Sequence, residues 1–193
     1  MRYAKDHKEQ ARTAVLQTAA RTLKDKGFDG VGVDGLAGSA EVTSGSLYSL
    51  FGSKEAFLEQ VVDTQLGIEF ADIDDPDPGE RRRRLGQVLQ MYLSDQHRDD
   101  AGHGCVMPAL SADVARAGES VQQAYGRRIE HVVTLLAPAM HGTPEEQRER
   151  AWALVASIVG AVTIARALPP GKQSGAVLES TLRYATDCIA EQS

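Results

Sequence analysis

Apolar residues along this chain recur at helical rather than strand spacing from one end to the other. Within residues 8 to 26, Val15, Ala19 and Leu23 stand at i, i+4 and i+8, and Gly27 ends the run as a C-cap. A loop then leads to a short helix from about Val33 to Ala40, and Leu47, Leu50 and Phe51 at i, i+3 and i+4 give the next segment one buried face. A helix over 53 to 71 follows, until Asp72 to Glu80, rich in Asp, Pro and Gly, breaks the pattern. Beyond it Leu85, Val88, Leu89 and Tyr92 form a stripe, and residues 95 to 104 read as a loop. A short helix starts near Cys105, a longer one runs from Glu119 to Met140, and two more cover 145 to 168 and 174 to 191. The predicted fold is all-α, with a small N-terminal unit over 1 to 52 and a larger one over 53 to 193.

The segment from 42 to 57 carries the most chemistry. Thr43 is placed to N-cap the short helix, and its polar face shows Ser44, Gly45, Ser46, Tyr48 and Ser49. Small hydroxyl residues and one phenol approach a groove closely and bond phosphates or base edges, where long acidic side chains would be repelled. Ser53 caps the next helix, and Lys54 sits in its first turn against the positive end of the helix dipole. That placement predicts an external anion such as a DNA phosphate beside Lys54.

The stretch Gly45-Ser46-Leu47-Tyr48-Ser49-Leu50-Phe51-Gly52-Ser53-Lys54-Glu55-Ala56-Phe57 resembles the signature of TetR/AcrR-type transcriptional regulators. The resemblance covers roughly the first 60 residues. It implies a three-helix helix-turn-helix domain that binds operator DNA, a C-terminal helical domain that takes a small-molecule effector, and a homodimer built from the last two long helices. It also implies that binding of ligand releases a repressor. The chain departs from the pattern at Val31 and Gly32, where a Ser or Thr cap is usual, at Asp34, and at Glu41, which fills a turn position that favours glycine.

Charge narrows the picture. The formal net charge is -6, and residues 1 to 60 carry eight basic and eight acidic side chains, so DNA affinity must come from local placement. Arg81 to Arg84 read as a solvated run paired with the acidic loop upstream. Gly30-Val31-Gly32-Val33-Asp34-Gly35 matches a dinucleotide fingerprint in letters alone, because a charged helix end precedes it where an apolar strand is needed. Arg150 and Arg166 bracket an apolar run of fifteen residues. A bilayer requires roughly 20, so the run reads as a helix buried against its own core and a partner, and no membrane partner is expected. Two cysteines and no apolar leader point to a reducing cytoplasm.

Effector-lining residues are expected among Leu66, Phe70, Leu89, Tyr92, Cys105, Met107, Leu110 and Tyr125, with the two phenols as polar anchors. Cys105 at a helix start beside His103 also fits a thiol of lowered pKa that senses oxidants or electrophiles. His97, His103 and Cys105 lack a matching second ligand pair, so neither metal nor cofactor is expected. Ala156 and Gly160 would let the dimer helices approach closely, and Asp at Ile158 or Leu182 is expected to split or unfold the dimer. No nucleophile elbow or phosphate loop supports an enzyme, and a helical adaptor would leave the arrangement from Thr43 to Lys54 without a purpose.

Overall fold

The computed structural model describes residues 2–189, with side chains from residue 9 onward, and among these there are ten α-helices and no strand. They are α1 (Arg2–Lys26), α2 (Val33–Ser39), α3 (Ser44–Phe51), α4 (Lys54–Gln65), α5 (Pro78–Tyr92), α6 (Asp95–Asp99), α7 (Val106–Val114), α8 (Glu119–Leu136), α9 (Pro144–Ala167) and α10 (Lys172–Ile189). Residues 190 and 191 of the last expected helix lie outside the described residues.

The chain forms two compact units. One comprises the residues up to Leu66 together with Ala101–Gly126; the other comprises Gly67–Asp100 and the residues from Arg127 on. The division expected after Gly52 rests on the sequence resemblance, whereas these units divide by packing, so α4 and α7 lie in the first.

In the first unit α1 buries Val15, Leu16, Ala19, Ala20 and Leu23, and Gly27 closes it with a positive φ of 73° and its N–H on the Leu23 carbonyl at 2.9 Å. The polar clasps on α7 are local. Lys24, only 8% exposed, donates from Nζ to the Gly104 carbonyl at 2.8 Å just before α7, and the Gly118 N–H just after it donates to Glu55 Oε1 at 2.6 Å.

In the second unit α9 and α10 pack along each other, α5 lies against α10, and α6 against α9. A capping box of Thr143 and Glu146 starts α9. This 24-residue helix is long and apolar enough to cross a membrane by length and composition, but Leu154, Val155, Ile158, Ala161, Val162 and Ala165 are buried within the unit. Arg166 donates to the His97 and Arg98 carbonyls at 2.8 and 3.0 Å, satisfying the C-terminal carbonyls of α6.

Two expected elements differ. The helix over 53 to 71 stops at Gln65, because Gly67 adopts φ 80° and sits so close to α8 that a Cβ there would lie 2.3 Å from Val132 Cγ2; a 3-10 turn over Ile68–Ile73 follows. The loop over 95 to 104 contains α6, whose Ser94 cap accepts the His97 N–H.

Candidate nucleic-acid interface

The turn between α2 and α3 is a Schellman motif. The Val42 N–H bonds the Ala37 carbonyl at 3.0 Å and the Glu41 N–H bonds that of Gly38 at 3.2 Å, which requires a left-handed residue at position 41. Glu41 supplies it with φ 56°, the one positive φ at a non-glycine residue among those described. Val42 then leads to Thr43, whose hydroxyl accepts the Ser46 N–H at 3.1 Å and starts α3.

Burial splits α3 into two faces. Leu47 and Phe51 point into the unit, at 2% and 6% exposure, while Thr43, Gly45, Ser46 and Ser49 are exposed and Tyr48 is half exposed at 50%. Leu50, expected in the core, is only half-buried, and Ser44 is likewise intermediate because its hydroxyl donates to Asp34 at the start of α2. The inner face is fixed from two sides. Phe51 meets Phe57 of α4 edge to face at 5.0 Å, and the Arg12 guanidinium of α1 lies 5.0 Å above the Phe51 ring while reaching Gln60.

Lys54 has a partner inside the protein. Its ammonium donates to the Phe28 carbonyl and lies 4.1 Å over the Phe28 ring. A lysine in the first turn of a helix is thereby explained by the loop after α1, and an external phosphate is no longer required to account for it. The roles of Arg12 and Phe28 are not legible in the sequence, since nothing in a single chain marks a contact across 26 to 48 residues.

The expected effector residues are divided between the units. Leu66, Cys105, Met107, Leu110 and Tyr125 belong to the first, and Phe70, Leu89 and Tyr92 to the second. All but Tyr125 are fully buried. Tyr125 shares a 2.7 Å hydrogen bond with Ser111 on α7, and burial pushes its phenol above the ordinary value despite that bond. Phe70 and Tyr92 stack at 5.8 Å, and Tyr92 and His97 at 4.5 Å, with His97 Nδ1 against the Tyr92 carbonyl at 2.6 Å. Cys105 N-caps α7, its sulfur accepting the Met107 N–H at 3.4 Å. His97 thus lies in a different unit from His103 and Cys105, and among the described residues no cluster is placed to hold a metal ion.

The arginine run is consumed by its surroundings, as its charge pattern predicts. Arg81 reaches Asp74 at 2.6 Å and the Leu135 carbonyl at 3.2 Å, Arg83 pairs with Glu80, and Arg84 bridges Glu80 and Asp75. Glu80 is held down to about 2 by the hydrogen bonds from Arg83 and then Arg84.

On α9 the outward face holds Ala156 and Gly160, as expected, but not Ile158. Ile158 is buried within its own unit, as are Leu178, Ala185 and Ile189, so these residues serve the protomer's core. The outward stripe consists of Trp152, Ala156, Gly160 and Ile164 on α9 with Val177, Thr181, Tyr184 and Cys188 on α10. Trp152, Ile164 and Tyr184 are 37%, 53% and 55% exposed, and a Cβ at Gly160 would meet nothing within 4 Å.

Comparison with known proteins adds independent observations. The family described as bacterial regulatory proteins, tetR family, matches residues 15–61. The HTH-type transcriptional repressor NemR of Escherichia coli K12 is 26% identical over 200 aligned positions, covering 96% of this chain and 97% of that protein. The crystal structure of E. coli NemR in its reduced form superposes with a TM-score of 0.75 at 25% identity, covering 95% of this chain and 99% of that one. A TetR transcriptional regulator from Legionella pneumophila shares the fold, with a TM-score of 0.74 at 15% identity over 92% of this chain and 96% of that one.

Proposed function

The chain belongs to the tetR family of bacterial regulatory proteins, and from that premise we propose that it is a cytoplasmic, homodimeric transcriptional repressor released from operator DNA by a small molecule. The observation that carries this reading is the two-faced α3, an exposed face of hydroxyls and one phenol standing on a buried base of Leu47 and Phe51. Such a helix serves a groove better than a core. Thr43, Gly45, Ser46, Tyr48 and Ser49 are the contacts to DNA, and Lys54 acts by bracing α4 on Phe28, with its remaining N–H groups turned to phosphate.

A single copy of α3 reads too few base pairs to be selective. Two copies must enter successive major grooves about 34 to 36 Å apart, which a dimer through the outward stripe of α9 and α10 would supply. The effector acts through α7, where Cys105, Met107, Leu110 and the Ser111–Tyr125 pair sit between the Lys24 and Glu55 clasps. A ligand that displaces α7 must move α1 and α4 with it, because the clasps end on those two helices, and Arg12 of α1 and Phe57 of α4 hold Phe51 of the reading helix.

A mobility shift with duplex DNA from upstream of the chain's own reading frame tests the reading. A retarded complex that unlabelled upstream duplex competes away and random duplex does not is expected; equal competition by both would overturn it.

A second mode of release has one observation in its favour. The Met107 N–H is directed at Cys105 Sγ at the start of α7, the kind of backbone donor an electrophile-sensing thiol requires, although the sulfur is fully buried. Alkylation of Cys105 with a pH midpoint well below that of an ordinary thiol supports it, and reaction only after unfolding removes it.

A further inference from the structure

Ser44 is the first residue of α3 and Asp34 the second of α2, and the Ser44 hydroxyl donates to the Asp34 carboxylate. A serine hydroxyl has a single hydrogen. Once that hydrogen is committed to Asp34, only lone pairs of Ser44 remain for an outside partner. The Asp34 carboxylate is exposed and accepts only. The hydroxyls of Thr43 and Ser46 face one another at 2.9 Å and the Thr43 oxygen also takes the Ser46 N–H, so that neighbouring pair commits one hydroxyl hydrogen and keeps one. The Asp34–Ser44 pair itself therefore presents two adjacent hydrogen-bond acceptors and no side-chain donor.

An acceptor pair is selective on the major-groove edge. Guanine shows N7 and O6 and thymine O4, all acceptors, and would be repelled. Adenine offers its amine beside the acceptor N7 of the same base, whereas cytosine offers the N4 amine beside its own C5–H, the neighbouring acceptor O6 belonging to the paired guanine. Resting on the DNA-binding reading above, we propose that Asp34 and Ser44 act together as a specificity determinant that selects a cytosine at one position of each half-site. An acidic residue at the front of the reading surface, unfavourable near phosphates in general, then has a base to serve.

The test is selection of duplexes from a randomised pool by the full-length protein, followed by sequencing. Wild-type protein should enrich half-sites with cytosine at one position. Asp34→Ala should relax the preference at that position alone by about tenfold, the loss expected for one good base contact. Asp34→Asn, which adds an amide donor beside an acceptor, should move the preference to adenine. Ser44→Ala should weaken the cytosine preference while keeping its position, a change that a purely helix-stabilising role for Asp34 would not produce. Asp34 is exposed and Ser44 half-buried, and thermal melts matching wild type establish that the variants are folded. Identical base preferences in wild type, Asp34→Ala and Asp34→Asn would overturn the proposal while leaving a DNA-binding regulator in place. Failure of wild-type protein to enrich any duplex would instead remove the regulator reading, and this assignment with it.

Discussion

Glu41 holds a left-handed backbone that an L side chain adopts at a penalty of about 1 to 2 kcal/mol, and the Schellman turn before α3 leaves it no alternative. Glycine removes the strain but returns some of the gain through a more flexible unfolded chain, a loss of about 0.4 to 1 kcal/mol. Glu41→Gly is therefore expected to stabilise the protein by about 0.5 to 1 kcal/mol, read as a Tm rise of roughly 2 to 3 °C by calorimetry. Removing the exposed carboxylate beside α3 should also tighten DNA binding, and a lower Tm or weaker binding would show that the side chain has a role of its own. At this scale the sequence was informative wherever a residue acts on near neighbours. Thr43 and Ser53 cap the helices assigned to them, and Leu47 and Phe51 face inward, because spacing and capping are local physics. The internal partner of Lys54 is illegible for the opposite reason: Phe28 lies 26 positions away, and the helix dipole alone gives no sign of it.

Elements ended where short-range chemistry and packing disagreed. The apolar run continues past Gln65 and argues for a longer α4, yet the close approach of Gly67 to Val132 forces a turn that no periodicity records. The fifth helix shows the reverse, since its acidic loop and arginine run announce their pairing through charge alone. That first turn has a pH signature. Glu80 falls from an ordinary 4.5 to about 2 because Arg83 and Arg84 bond its charged form. A depressed carboxyl pKa contributes stability that is fully present above the ordinary value and is lost as pH falls through the folded one. The Tm difference between wild type and Glu80→Gln should thus be constant from neutral pH to about 4.5 and shrink toward zero near 2. A difference independent of pH over that range would place the effect of Glu80 in packing instead. The pair is exposed, so the whole effect is small and screened by salt.

For the molecule as a whole, the proposed dimer is tested by residues other than those the sequence favoured. The stripe of Leu178, Leu182, Ala185 and Ile189 is the more regular of the two on α10, and a single sequence gives no means of telling which apolar stripe meets the protomer and which meets a partner. Ile158→Asp would place an unpaired charge in the protomer's own core and is expected to unfold it. Ile164→Asp or Tyr184→Asp alters the outward stripe and should give folded monomers of unchanged helicity that no longer shift operator DNA. Sedimentation of these variants as dimers, with DNA binding intact, would exclude the α9–α10 face as the interface.

Trp152 gives that face an optical property. It is the single tryptophan of the chain, and it stands partly exposed on the outward side of α9. Its fluorescence therefore comes from one known place, with no second indole to subtract. Dilution of the native protein, with no label attached, should shift the emission toward the red as water reaches the ring, and the concentration at the midpoint would be the dissociation constant of the pair.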